Sequence, residues 1–385
     1  MQVRIDKLVP GGQGIGTLDT GQKAFIWGAL PGEVIEFETT KSKKSYVEGV
    51  TASVLSDISS HRIEPRDQCY FATSPWQILD YDYELEQKRE IILELMRQND
   101  ISADVQPVLT DGRDFEYRNK MEYSLYYDHD TEKIHPAFHI RGTHRKIPVS
   151  QSSIERPEIW SECQRMINEL NSSGADARDY QSIMIRCSQS GKVSSALYEN
   201  HKPRPEMAPL TDVLLGHEYS YSPSGFFQIN LPVYEMALNE IGRHITTDKV
   251  LDLYAGVGTI GLSVAGNRNL TLIEINASAF EELERNVATR AHATPVLAKS
   301  EDVLDYIQPD ATVILDPPRA GCDQKLINKL IEVKPPTVIY LSCNPATQMR
   351  DIKPLLDHYQ ITQIQPYNFF PRTPHIENLI LLERN

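Results

Sequence analysis

The sequence predicts an α/β protein, with a parallel, doubly wound sheet at its C-terminal end behind a mixed α+β segment and a small N-terminal β-barrel. Three observations carry this. From about residue 231 onward, short apolar runs alternate with helical spacing, as strands joined by crossover helices do. The first such run, Lys249-Val250-Leu251-Asp252-Leu253, opens into the glycine loop Tyr254-Ala255-Gly256-Val257-Gly258-Thr259-Ile260-Gly261. Residues 1–56 instead break into short alternating runs divided by Gly and Pro, which suits a barrel.

In order along the chain, strands around Phe25-Ile26-Trp27 and Val34-Ile35-Glu36-Phe37 follow the loop Gly11-Gly12-Gln13-Gly14-Ile15-Gly16. That loop is no dinucleotide fingerprint, because no helical pattern follows it. The run Lys41-Ser42-Lys43-Lys44 reads as a solvated hairpin tip able to touch phosphate. Residues 57–83 are irregular. Residues 84–98 place Leu85, Ile91, Ile92, Leu95 and Met96 at helical spacing. Up to about residue 230, strands at 120–127, 183–187 and 193–198 and a helix at 159–170 suggest an antiparallel sheet with helical insertions. Arg118, Lys120, Arg141, Arg145 and Lys146 mix there with Tyr117, Tyr123 and Tyr126, a composition that suits single-stranded RNA and ordinary sheet surfaces alike. Further strands follow at 270–274, 312–318 and 337–341, with a helix through Asn286. Three units are expected: 1–56, 57–230 and 231–385.

Composition narrows the class. A chain of 385 residues suits two or three domains. With 39 Lys and Arg against 53 Asp and Glu, the net charge is −14. That balance argues against coating nucleic acid by bulk charge and leaves a local basic groove open. No apolar run approaches a membrane span, and Met1-Gln2-Val3-Arg4-Ile5-Asp6 lacks a signal-peptide core. Five scattered cysteines fit a reducing cytoplasm.

The chemistry concentrates at strand ends. Gly256 and Gly258 let backbone approach a ligand at the first crossover, and Glu274 ends the next strand where a carboxylate can accept both ribose hydroxyls. The spacing alone does not exclude a dinucleotide; Asp252 and the later Asp-Pro-Pro favour S-adenosylmethionine. Asp316 is held at a strand end by Pro317 and Pro318. The buried run Val338-Ile339-Tyr340-Leu341 stops at Ser342-Cys343-Asn344-Pro345, aiming a thiol into the crevice where open α/β sheets bind ligands.

The N-terminal block resembles the TRAM domain, an OB-type RNA-binding barrel, through the Gly11 to Gly16 loop, Ala29-Leu30-Pro31-Gly32-Glu33 and Lys43-Lys44-Ser45-Tyr46. The C-terminal part resembles the RNA uracil-C5 (5-methyluridine) methyltransferase family. The matching pieces are Ser224-Gly225-Phe226-Phe227-Gln228-Ile229-Asn230, the glycine loop, Leu315-Asp316-Pro317-Pro318-Arg319-Ala320-Gly321, the Cys343 run and Thr373-Pro374-His375-Ile376-Glu377-Asn378. With Tyr117-Arg118-Asn119-Lys120 the likeness spans most of the chain. The resemblance implies a Rossmann-like class I methyltransferase domain, a central mixed α+β domain that contacts RNA and the OB-type barrel. It also implies S-adenosyl-L-methionine as cofactor, an RNA substrate with ribosomal slightly favoured over transfer RNA, a monomer, a cytoplasmic location and no membrane contact.

By residue, the resemblance makes Cys343 the nucleophile that adds to carbon-6 of a flipped-out uracil. Glu377 becomes the base that removes the carbon-5 proton. Gln228, Tyr254, Gly256, Gly258, Glu274 and Asp316 are expected at the cofactor, and Asp316 also towards the uracil. His375 is expected to orient Glu377 or touch substrate, while Phe226 and Phe227 read as packing residues. Many relatives hold an iron–sulfur cluster on four cysteines. Here Cys69 stands alone before Cys163, so no cluster and no metal ligand is expected, and Cys69, Cys163, Cys187 and Cys322 read as ordinary thiols. Two rival readings are an RNA or DNA amino-methyltransferase, which needs no nucleophilic cysteine, and a non-catalytic RNA-binding factor, which would not retain Cys343, Glu377 and Gln228 together.

Overall fold

The computed structural model describes residues 1–385 apart from Gly142, His144 and Gln151. Five strands, β1 (Gln2–Leu8), β2 (Gly14–Thr17), β3 (Lys23–Trp27), β4 (Val34–Ser42) and β5 (Tyr46–Ser56), close into a barrel in the order β1-β2-β3-β5-β4. Only the β3–β5 pair is parallel, the topology of an OB-type barrel. Alternation turns Val3, Ile5, Ala24, Ile26, Ile35, Phe37 and Val47 inward, where they form the barrel's own core. Lys41 is neutralised by Glu48 at 2.7 Å, while Lys43 and Lys44 stand exposed on the hairpin tip.

The glycine loop after β1 has a steric reason. Gly12 has φ +98°, and a Cβ there would lie 2.5 Å from Cβ of Pro374. Its carbonyl accepts a hydrogen bond from Trp76 Nε1 at 3.1 Å. The barrel therefore sits directly on the segment that carries His375 and Glu377.

The connector contains one helical turn, α1 (Tyr70–Thr73), and the helix α2 (Tyr81–Gln98). α2 starts before the expected residue 84 because Asp80 caps it, accepting from the Tyr83 amide at 2.9 Å. The Asp67 carboxylate, buried ahead of α1, accepts from Gln77 Nε2 at 2.9 Å, the Ser153 amide at 2.9 Å and the Ser153 hydroxyl. This ties the connector to the central sheet.

That sheet comprises β6 (Lys120–Asp128), β7 (Lys133–His139), β8 (Lys146–Pro148), β9 (Tyr180–Cys187) and β10 (Val193–Glu199), ordered β10-β9-β6-β7-β8 and wholly antiparallel. Helix α3 (Pro157–Ser173) buries Ile159, Cys163 and Ile167 against it. A hairpin, β11 (Leu210–Leu214) and β12 (His217–Tyr221), leaves this sheet and packs Tyr219 and Tyr221 into the core of the C-terminal unit.

The C-terminal unit runs α4 (Leu231–Arg243), β13 (Lys249–Leu253), α5 (Thr259–Val264), β14 (Asn269–Glu274), α6 (Ala277–Val287), β15 (Ala293–Leu297), β16 (Ala311–Leu315), α7 (Gln324–Val333), β17 (Thr337–Ser342), α8 (Pro345–Ile352), β18 (Tyr359–Tyr367) and β19 (Glu377–Arg384). The strand order is β15-β14-β13-β16-β17-β19-β18, the arrangement of a class I methyltransferase. The sheet is not wholly parallel as expected. β19 returns antiparallel to β17, and β18 pairs antiparallel to β19. β19 carries the continuous apolar run Leu379-Ile380-Leu381-Leu382, a strand buried on both faces that does not reveal its direction. One face packs on α2 through Ile91, Ile92, Leu95 and Met96, each contributing about 1.5–3 kcal/mol by burial, and the other on α4 and the β11–β12 hairpin.

Asp252, fully buried in β13, accepts from the Gly261 amide at 2.8 Å through one oxygen, while the other has no partner among the described residues. Burial pushes its value up to about 7, helped by the Asp316 and Glu274 charges. A raised carboxylate stabilises the fold fully below its unfolded value of about 3.9, and that contribution is lost as pH rises through the folded value. Asp252→Asn removes the charge, so the difference in thermal midpoint between variant and wild type should move in the variant's favour from pH 5 to pH 8. A difference independent of pH would show that Asp252 does not titrate in this range.

Candidate active site

The site lies where parallel strands end on one edge of the sheet. Leu253 of β13 is level with Ile273 of β14 and Leu315 of β16, and Leu315 is level with Tyr340 of β17. The residues that follow, Tyr254, Glu274 and Asp316, therefore leave the sheet side by side. Cys343 follows β17 directly. Because β19 pairs antiparallel with Ser342 opposite Asn378, one further step of the same register sets Cys343 across from Glu377. Gln348 of α8 locks this junction. Its Nε2 donates to the carbonyls of Tyr340 and Asn378 at 2.8 and 3.0 Å, and its Oε1 accepts from Asn378 Nδ2 at 2.8 Å.

The electrostatics run against an easily ionised thiol. Burial pushes the Cys343 thiol up to about 11, and the Glu377 and Asp316 charges push it further. Arg319, hydrogen-bonded to the thiol, opposes them and loses. Its guanidinium also reaches His375 Nδ1 at 3.3 Å, and its carbonyl accepts from Asn344 Nδ2 at 2.8 Å. Arg319 thus joins the Asp-Pro-Pro turn to the loops carrying Cys343 and Glu377. The Asp-Pro-Pro-Arg stretch is visible in the sequence, but nothing local to it points to a role for the arginine.

Glu377 is buried, and burial followed by the Asp316 charge raises it well above the usual carboxylate range. Burial raises Asp316 to about 7, and its carboxylate has no hydrogen-bond partner among the described residues. Burial and the charges of Arg319, Lys88, Arg141 and Arg118 press His375 down to about 4. It is therefore neutral at pH 7 and faces Arg319, with no hydrogen bond to Glu377 among the described residues.

The glycine loop forms a cradle. Gly256 has φ +58°, and a Cβ there would meet nothing within 4 Å, so space opens above it. The Gly256 amide donates to Glu274 Oε2 at 2.8 Å, and the Asn276 amide to Oε1 at 2.6 Å. Gly258, φ +88°, needs its hydrogen because a Cβ would lie 2.6 Å from Leu283. Tyr254, φ +63°, turns its hydroxyl to Glu301 at 3.2 Å.

Gln228 sits apart on a loop held by the central sheet. Lys120 Nζ donates to the carbonyls of Ser224 and Gly225 at 3.0 Å each. Asn119 Nδ2 donates to that of Gln228 at 3.0 Å, and the buried Arg186 to those of Gly225, Phe227 and Gln228 at 3.3, 2.6 and 3.3 Å. No hydrogen bond joins the Gln228 side chain to the other site residues among the described residues. This clamp turns consecutive side chains to opposite sides. Phe227 is buried and stacks on Tyr221 at 3.9 Å, whereas Phe226 is 78% exposed. The packing expectation holds for Phe227 and fails for Phe226.

A buried network supports the Glu377 segment from α2. Lys88 pairs with Glu84 at 2.9 Å and donates to Asn368 Oδ1 at 2.6 Å and to the Phe370 carbonyl at 3.1 Å. Glu84 accepts the Arg372 amide at 3.0 Å, holding a residue with φ +62°. Cys69, Cys163, Cys187 and Cys322 are buried with thiols pushed up by burial, and no group of three metal-ligating side chains occurs among the described residues. No described helix is long and apolar enough to cross a membrane.

Residues 269–385 match the family model tRNA (Uracil-5-)-methyltransferase. Over this stretch the chain is similar to that family. The match takes in Glu274, Asp316, Cys343 and Glu377. Similar proteins include an uncharacterized RNA methyltransferase of Bacillus cereus, 28% identical over 99% of this chain and 96% of its own length. Another, from Thermotoga maritima, is 25% identical over 99% and 98%. Among solved structures, the Pyrococcus abyssi tRNA (uracil-54, C5)-methyltransferase in complex with S-adenosyl-L-homocysteine superposes with a TM-score of 0.78 at 23% identity, covering 99% of this chain and all of that one.

With its thiol near 11, Cys343 should be alkylated by iodoacetamide at a rate rising about tenfold per pH unit between pH 7 and 9. A plateau below pH 9, followed by peptide mass spectrometry at Cys343, would mean that the thiolate is already formed.

Proposed function

We propose that this protein methylates carbon-5 of a uridine in RNA, with Cys343 as covalent nucleophile and Glu377 as the base that frees the product. The observation that carries the reading is the β17–β19 register, which sets Cys343 across from Glu377 with Asp316 at the neighbouring strand end. A thiol, a buried carboxylate and a second carboxylate on one crevice match what addition to a pyrimidine requires.

The cradle fits S-adenosylmethionine. Asp252, Glu274, Asp316 and Glu377 gather carboxyl groups at one sheet edge, and Asp316 lacks a hydrogen-bond partner among the described residues. Such a cluster suits a cationic ligand. Gly256, Gly258 and Tyr254 would border it, Glu274 would face its ribose, and Gln228 would approach from the opposite loop. Bound there, it supplies an electrophilic methyl group on a positively charged sulfur.

The residues divide the rest of the work. Cys343 sulfur bonds to carbon-6 as its proton passes to a neighbouring carboxylate, for which Asp316, near 7, is matched. The carbon-5–carbon-6 π electrons move onto carbon-5 and the adjacent carbonyl, which makes carbon-5 nucleophilic. Once carbon-5 carries both methyl and hydrogen, Glu377 takes that proton. The electrons re-form the double bond, and Cys343 leaves as thiolate. Arg319 holds the sulfur and the Glu377 segment in register. An amino-methyltransferase would leave the Cys343–Glu377 pair without a task.

Ribosomal RNA was favoured on account of the barrel. Transfer RNA is the alternative substrate. Methylation of transfer RNA and ribosomal RNA transcripts side by side decides between them.

RNA carrying 5-fluorouridine, whose fluorine cannot leave as a proton, should trap wild-type protein with cofactor as a covalent adduct stable to denaturing gels, and Cys343→Ala should form none. Glu377→Gln should trap unmodified RNA the same way while turnover falls at least about 100-fold. Methylation by Cys343→Ala would sink the covalent route.

A further inference from the structure

The seam between barrel and central sheet holds a cation with no carboxylate partner among the described residues. Arg141 follows β7, and its guanidinium carbon lies 4.6 Å from the ring centre of Trp27, the last residue of β3. Trp27 is braced edge-on by Phe71 of α1, with centroids 6.2 Å apart at 89°. Arg141 Nε is buried and has no partner, and no carboxylate pairs with the guanidinium among the described residues. Burial lowers its value without displacing it from the charged form at neutral pH.

In a chain of net charge −14, the part-buried Arg62, Arg156 and Arg372 all pair with carboxylates, whereas Arg141 does not among the described residues. Desolvating a guanidinium without an anion costs free energy that one cation–π contact offsets only in part. The position also has a direction. The Arg141 charge, with those of Arg319 and Arg118, reaches His375, so three arginines converge beside the segment that carries Glu377. None of the three pairs with a carboxylate among the described residues. Converging, uncompensated guanidinium groups beside a crevice match a phosphodiester backbone, whose oxygens accept their planar fork.

We propose that Arg141, held over the Trp27 ring, binds a backbone phosphate of single-stranded RNA close to the target uridine, and that Trp27 makes the barrel part of this subsite. The proposal rests on the RNA reading given above and adds to it the residue that takes the phosphate. Barrel and central sheet then grip the same stretch of backbone. Trp27 acts as the positioning residue, since its ring lies against the guanidinium.

The test is binding of a uridine-containing single-stranded RNA oligonucleotide, followed by fluorescence anisotropy across about 50 to 200 mM KCl. Loss of one phosphate contact on a single strand should reduce the slope of log affinity against log salt by about 0.7 in Arg141→Met, with several-fold weaker binding at the lower salt. Arg141→Lys keeps the charge and should restore the slope. A purely structural brace predicts otherwise: Arg141→Met would lower the thermal midpoint and leave the slope unchanged, which overturns the proposal. Adduct formation on 5-fluorouridine RNA is scored on the same samples. Failure of the wild type there refutes the uracil reading, while the salt slope still decides Arg141.

Discussion

Everything at the candidate site depends on one strand pairing, the antiparallel ladder between β17 and β19, in which Thr337 faces Glu383 and Ser342 faces Asn378. A register slip of one residue would exchange the faces of β19 and carry Glu377 away from Cys343. Burial guards against that slip. Leu379, Ile380, Leu381 and Leu382 are all buried, so both faces of the strand are claimed by opposite cores. Gln348 adds a polar lock across the two strands, and it is satisfied on both its carbonyl and amide sides.

Around that ladder the charges are arranged by sign. Carboxylates collect over the glycine cradle, and burial holds several of them closer to neutrality than free carboxylates. Guanidinium groups collect on the flank that carries His375, where burial and then their charges keep His375 uncharged. Two ligands of opposite charge, a cationic methyl donor and a polyanionic strand, can thus approach one crevice from different sides. The protonated resting thiol fits this order, since a free thiolate would add a further negative charge beside Asp316 and Glu377.

Much of this could be read from residues alone, and what could not has physical causes. The parallel strands and their terminal residues follow from local patterns, because apolar runs ending in Gly-rich or Asp-Pro-Pro turns are short-range signals. The barrel followed from alternation and glycine spacing. The antiparallel return of β19 did not, since a strand buried on both faces carries no periodicity that tells its direction. Phe226 was misread for a related reason: its exposure is decided by Arg186 and Lys120, far away in sequence, which hold the backbone carbonyls around it. The role of Arg319 and the uncompensated charge of Arg141 likewise emerge only from tertiary neighbours.

The Gly12 contact bears on how separable the parts of this protein are. Its backbone lies so close to Pro374 and Trp76 that no side chain fits between them. A substrate-gripping barrel joined only by a tether could be exchanged for another with little effect on the chemistry downstream. Here the exchanged piece would have to reproduce the shape of a single turn to within one methyl group, or else press on the segment leading to Glu377. The barrel is in this sense fitted to the segment leading to Glu377, and its inheritance is tied to that of the domain it touches.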